Sequence, residues 1–248
     1  MRLTYLEQSW YKSIKPGELR FKIFQKKNEN TQIQKLVERF NNFSNWVAST
    51  ILGEELIDKR AEMICSFIKL ASECKKIFNL NSCYAIIATL NGNNVSRLKK
   101  TWSKVSSENG KTWQKYQSLC TLFDLKGNMK NLRNFIFSHR ENISCPFLGM
   151  YTKDLFAIEE NNNNFLSDGV VNFQKMMLLS DVIENTLRPQ NHSDVKKKIS
   201  LLFSSSENGV PDPLYNYEPF GEEHLYRVSL SREGKTQSFQ NPLYSNEN

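Results

Sequence analysis

Apolar positions recur at steps of three and four along most of this 248-residue chain. Between residues 33 and 51 they are Ile33, Leu36, Val37, Phe40, Phe43, Trp46, Val47 and Ile51, which form one stripe of an α-helix. A second helix is expected to begin near Asp58, whose side chain can cap free backbone N–H groups. It would turn Ala61, Ile64, Cys65, Ile68, Ala71 and Cys74 inward. The stretch Asn81–Leu90 is apolar nearly all round, as a central buried helix should be. It ends at Asn91-Gly92-Asn93-Asn94, a turn signal. Further helices are expected over Val95–Trp102, Lys111–Phe123, Met129–His139, Phe173–Leu187, Ser193–Phe203 and Glu222–Leu230. No two-residue alternation is long enough for a sheet core, and no period of about 20–50 residues repeats. Asn161–Asn164 reads as a loop whose asparagines reflect compositional drift. Ser204–Pro219 reads as a long surface loop, and the residues after Thr236 as a poorly ordered tail. The pattern predicts one large all-α domain over residues 1–248.

Composition changes this picture little. Hydrophobic residues make up 39% and charged residues 24%, the usual balance of a globular protein. A chain of this length can bury roughly three quarters of the surface it exposes unfolded, so it needs no staple. The five cysteines (Cys65, Cys74, Cys83, Cys120, Cys145) form no C-x-x-C pair, and they read as small buried thiols of a reducing compartment. The three histidines are scattered, so no metal site or cofactor is expected. No run approaches the roughly 18 apolar residues of a membrane span, and the N-terminus is too polar for a secretory leader. A cytoplasmic protein is expected.

The net charge of +7 raises a nucleic-acid reading. The basic residues are spread thinly, however, and Lys196-Lys197-Lys198 has no interleaved aromatics, so nucleic acid is not expected as a partner. The same charge suits an acidic membrane surface or an acidic partner, which leaves peripheral membrane association open.

Neither a G-x-x-x-x-G-K-S/T loop nor G-x-G-x-x-G is present, and no Ser/His/Asp or Cys/His set stands out. Four stretches carry the reading further: Phe40–Leu52 (FNNFSNWVASTIL), Asn79–Trp102 (NLNSCYAIIATLNGNNVSRLKKTW), Cys145–Glu160 (CPFLGMYTKDLFAIEE) and Gly169–Lys175 (GVVNFQK). In that order they resemble the catalytic domain of Ras guanine nucleotide exchange factors, the family that includes Son of sevenless. Leu3–Leu19 looks like the family's first block, and His224–Lys235 is similar to its closing helix.

The resemblance implies a helical core that grips switch II of a Ras-, Rap- or Ral-like GTPase in its GDP-bound or nucleotide-free state. A protruding hairpin, about residues 147–178, would lever switch I away and disturb the magnesium and phosphate sites. No covalent chemistry is implied, and the factor acts as a monomer. Phe156 and Glu160 match the hairpin's displacing positions, one helical turn apart. An apolar group cannot coordinate a hard cation, and a carboxylate opposes the return of phosphate. The docking face carries over to Val37, Asn41, Tyr84, Ala88, Asn91 and Phe147. Of these, Val37, Tyr84 and Phe147 match an apolar pocket for a switch II aromatic, and Asn91 matches a polar contact. Without the resemblance the three apolar residues read as core, and Glu159 with Glu160 as a solvated helix end. Arg60 and Arg97 match family positions read as structural.

Departures are visible too. Met129 stands where the family has an aromatic, and Asn161 where it has a glycine. Met176-Met177-Leu178 stands where it has basic residues, and Phe156 is bulkier than its usual counterpart. They motivate an alternative, an exchange-inactive GTPase-binding or scaffold module of the same fold.

Overall fold

Helices form where the apolar stripes predict them, and their ends are fixed by side chains that are often distant in sequence. A computed structural model describes residues 2–20, 31–167, 169–191, 214 and 216–234. Eleven α-helices are described: α1 (Arg2–Lys12), α2 (Gln32–Gly53), α3 (Ile57–Lys76), α4 (Leu80–Asn91), α5 (Asn93–Ser96), α6 (Lys99–Glu108), α7 (Gly110–Leu122), α8 (Lys126–Ser138), α9 (Leu148–Asn161), α10 (Phe173–Leu187) and α11 (Glu222–Arg232). Two 3-10 turns, Pro16–Leu19 and Arg188–Asn191, join them. The fold is all-α, and the described residues hold only two isolated β-bridges. The helix expected over Ser193–Phe203 and the tail after Thr236 lie outside the described residues, as does most of the Ser204–Pro219 loop. No helix among the described residues is long and apolar enough to cross a membrane.

The chain groups into two compact units interleaved along the sequence. The first comprises residues 1–39, 78–81 and 138–212. Its core is built by Tyr11, Ile14, Leu19, Ile33, Leu36, Cys145, Leu148, Leu155 and Leu179, so α1 and the start of α2 pack on the α9–α10 hairpin. The Tyr11 hydroxyl donates to the Thr186 carbonyl, and burial pushes that phenol's pKa well up. Gln190 Nε2 donates to the Tyr11 and Ile14 carbonyls at 2.9 and 3.0 Å. α2 starts with a reciprocal cap: Gln34 N–H to Thr31 Oγ1 at 3.1 Å, and Thr31 N–H to Gln34 Oε1 at 2.9 Å. Glu18 adds a carboxylate that accepts from Gln32 N–H at 2.7 Å, where a helix N-terminus favours negative charge.

The second unit comprises residues 40–77, 82–137 and 213–248. Here α3 packs against α6 and α7, and α11 against α5. Ile64, Ile68, Ile86, Ile87, Val95 and Leu98 are buried in it, and Trp46 meets Phe43 and Phe67 at ring distances of 5.8 and 5.5 Å. Three expectations need correction in this unit. Asp58 does not cap α3, because it lies inside the first turn. Its carboxylate instead pairs with Lys104 at 2.8 Å. The helix expected over Val95–Trp102 is broken between α5 and α6. The cause is a cap supplied from far along the chain: Glu233 accepts from Lys100 N–H at 2.8 Å and Thr101 N–H at 3.0 Å. Met129, expected to open a helix, instead closes a left-handed turn with Gly127 and Asn128, with φ of 58°, 56° and 58°, and the right-handed helix follows it. Left-handed backbone is costly for residues other than glycine, most of all for a long side chain such as that of Met129. That side chain is buried there.

Candidate functional site

In the second unit, α4 presents Tyr84, Ala88 and Asn91 at i, i+4 and i+7, one side of the helix. Tyr84 sits between Phe40 and Phe123, at ring distances of 6.1 and 5.1 Å. With Ala88, Asn91, Cys120 and Phe123 it lines a hollow of about 220 Å³. An adjoining hollow of about 350 Å³ shares Ala88 and Gly92 and adds Asn41, Asn45 and the α11 residues Glu222 and Leu225. The four candidate residues of this unit therefore line two neighbouring depressions, with apolar walls and a few polar groups. Asn91 is held in place: its Oδ1 accepts from the Tyr116 hydroxyl, and its Nδ2 faces Cys120 Sγ at 3.6 Å. Burial raises the Cys120 thiol pKa, while hydrogen bonds from Asn91 and Tyr116 pull the other way.

In the first unit, Val37 lies on the apolar stripe of α2 yet is 46% exposed. The three-and-four spacing alone would place it in the core, and its exposure speaks against that reading. Phe147 is half-buried at the N-cap of α9, with its ring lying over Gly149. A Cβ at Gly149 would fall 2.4 Å from Phe147 Cζ, so the ring's pose depends on that glycine. Gly149→Ala is expected to swing Phe147 aside with little loss of thermal stability. Partner binding measured beside Phe147→Ala should weaken to a similar degree, and full binding by Gly149→Ala would show that the ring's pose is irrelevant.

The α9–α10 hairpin carries Phe156, 41% exposed, and Glu160, also exposed, on one face. Glu159 points elsewhere. Its carboxylate meets the ammonium of Lys175 at 2.7 Å, with side-chain exposures of 12% and 2%. The same ammonium donates to the Asn162 carbonyl and to Asn164 Oδ1, both at 2.8 Å. The paired glutamates thus divide into a buried anchor and an exposed carboxylate, which the reading as a solvated helix end did not anticipate. The asparagines of the run also make specific hydrogen bonds. Asn161 and Asn162 side chains cap the Ala157 and Ile158 carbonyls at 2.8 and 2.9 Å. Asn172 caps α10 by accepting from Lys175 N–H at 3.1 Å, and a Phe165–Val171 bridge crosses the hairpin's end. Around this polar staple, Phe165, Leu166, Val170, Val171, Phe173 and Met177 are exposed. Met176, by contrast, packs on the core.

Sequence reasoning missed Lys175, Gly149, Tyr116 and Glu233. Lys175 and Gly149 sit inside quoted motifs, so only their roles were hidden.

Arg60 and Arg97 turn inward. Arg60 is fully buried, donating to Thr101 Oγ1 at 3.0 Å and to the Glu54 carbonyl at 2.8 Å. Arg97 binds the Ser229 and Glu233 carbonyls at 2.8 and 2.7 Å. All five cysteines are buried.

Fold and site together define an all-helical module that presents shaped surfaces and a stapled hairpin. The family model of the RasGEF domain matches residues 1–177. Ras guanine nucleotide exchange factor D of Dictyostelium discoideum is 37% identical over 183 residues, covering 74% of this chain and 27% of its own length. Ras guanine nucleotide exchange factor A of the same organism is 33% identical over 249 residues, covering 94% and 39%. Ras-specific guanine nucleotide-releasing factor 1 of Rattus norvegicus is 37% identical over 185 residues, covering 73% and 14%. The chain belongs to the RasGEF domain family. It spans well under half the length of these relatives.

Proposed function

We propose that the chain promotes GDP release from a Ras-family small GTPase without any covalent step. Its family membership supports this, and the observation that carries it to named residues is the stapled hairpin displaying Phe156 and Glu160 on one exposed face. A GTPase that holds its nucleotide at picomolar Kd invests about −16 kcal/mol in it. An exchange factor offsets this by preferring the empty state, and the two ligands then weaken each other reciprocally.

Each unit contributes its own surface to the GTPase. Tyr84, Ala88, Asn91 and Asn41 receive switch II on the second. Val37 and Phe147 supply apolar contacts on the first, and the hairpin displaces switch I. Phe156 brings an apolar ring to the magnesium position, and Glu160 brings a carboxylate to the phosphate-binding loop.

These roles separate experimentally. Phe147→Ala is expected to weaken binding of the nucleotide-free GTPase by about 2 kcal/mol, a hot-spot loss. Glu160→Ala is expected to leave docking near wild type and to slow release from the docked complex about tenfold. Equal losses of binding and release in both variants would overturn the division.

A second reading has its own observation. Met129, standing where the family has an aromatic, is buried in the left-handed turn and offers no ring to the face. A module that binds a GTPase without opening it would show tight binding and no acceleration.

A further inference from the structure

Helix α8 shows a pattern that GTPase docking does not use. From Lys126 to Ser138 it carries Lys126, Lys130 and Arg133 and not one carboxylate. Only Met129 and Leu132 are buried along it. Phe135 is tucked beneath the Lys75 ammonium, 5.4 Å from its ring. Phe137 is far more open to solvent. It is 75% exposed, the most exposed large apolar side chain among the described residues. Lys130, Arg133 and Phe137 stand at i, i+3 and i+7 and so share one stripe. The nearest carboxylate in sequence, Asp124, accepts from Lys126 N–H at 3.0 Å. Arg133 Nε donates to the Asn128 carbonyl at 2.7 Å, so the left-handed turn steadies the guanidinium on this face.

A largely exposed aromatic ring among cations is the composition of a surface that lies on an anionic lipid interface. The cations meet headgroups while the ring enters the acyl boundary. Charge selects this occupant. The other exposed apolar region, on the α9–α10 hairpin, lies among Asp154, Glu160, Asp181 and Glu184 and would be repelled by acidic lipid. A single ring on a convex helix also gives no series of stacking platforms for single-stranded nucleic acid.

We infer that α8, through Lys130, Arg133 and Phe137 and with Lys126 just ahead of its left-handed turn, is a peripheral docking surface for an anionic phospholipid bilayer.

The test is co-sedimentation of the full chain with phosphatidylcholine vesicles, with and without phosphatidylserine. It needs no GTPase, so its failure leaves the exchange reading untouched. Pelleting is expected only with phosphatidylserine, and it should fade at high salt. Lys126→Glu/Lys130→Glu should weaken partition by at least about thirtyfold, since loss of the two cations alone removes roughly a factor of five each and the new carboxylates add repulsion. Lys126→Arg/Lys130→Arg should restore it. Phe137→Ala should weaken it with little change in salt dependence. Thermal unfolding of each variant confirms an intact fold, and the double charge reversal leaves the Arg133–Asn128 bond in place. Several results would overturn the inference: equal pelleting with uncharged vesicles, no pelleting at all, or pelleting unchanged by the charge reversal. Retention of soluble nucleic acid through these lysines without vesicle binding would overturn it too.

Discussion

Lys175→Met is expected to slow the nucleotide release that this chain stimulates from its GTPase by about a hundredfold, while binding of the nucleotide-free GTPase falls far less. The ammonium closes the hairpin's end by joining Glu159, the Asn162 carbonyl and Asn164. Methionine fills similar space but leaves the Glu159 carboxylate without its cation, in a site only 12% exposed. Breaking such a pair from one side costs about 3 kcal/mol. The chain then relaxes locally to hydrate the carboxylate. That relaxation displaces Glu160, the next residue, from its face of α9. Single-turnover release and equilibrium binding separate the two effects. Glu159→Gln/Lys175→Met removes the stranded charge and should recover part of the rate. If the single and double variants release nucleotide equally slowly, the loss comes from something other than a stranded carboxylate. If Lys175→Met releases at the wild-type rate, the staple does not position the hairpin.

The largest expected loss of stability lies elsewhere, at Glu233. Its carboxylate is buried, accepting from two backbone N–H groups of α6, from Thr101 Oγ1 at 2.7 Å and from Arg60 at 3.5 Å. Glu233→Ala removes a cap, strands a fully buried guanidinium and leaves Thr101 N–H without its acceptor. About 3–5 kcal/mol of unfolding free energy should be lost, much of the 5–15 kcal/mol that holds a typical domain folded. Urea denaturation measures this directly. Glu233→Gln keeps one acceptor oxygen for Thr101 and loses the charge and the second acceptor, which serves Lys100 N–H, so its cost should fall between those of wild type and Glu233→Ala. Equal midpoints for wild type and Glu233→Ala would show that α11 is not clamped as described.

Much of the fold is legible from spacing. The stripes of α2, α3 and α4 predict the buried faces, and Phe173–Leu187 matches α10 from end to end. The sequence hides features whose cause is remote. Glu233 caps a helix more than a hundred residues upstream, and no local signal announces that. The left-handed turn before Leu132 is equally silent, since neither Asn128 nor Met129 demands positive φ. At the candidate site, residue types led to the face but not to its supports. Tyr84 and Phe147 were recognised by motif, whereas Tyr116 and Gly149 matter only through contacts made by Asn91 and Phe147. Paired glutamates look alike in sequence. Burial alone tells Glu159 from Glu160.

The central claim is that this module opens a GTPase rather than merely holding one. Release of fluorescent GDP from a panel of Ras-, Rap- and Ral-like GTPases tests it most directly, with wild type and Glu160→Ala side by side. Release from at least one member should accelerate by orders of magnitude with the wild-type chain, and by about tenfold less with the variant. Tight binding to a GTPase with no acceleration from any member would contradict the claim and leave a binding module in its place.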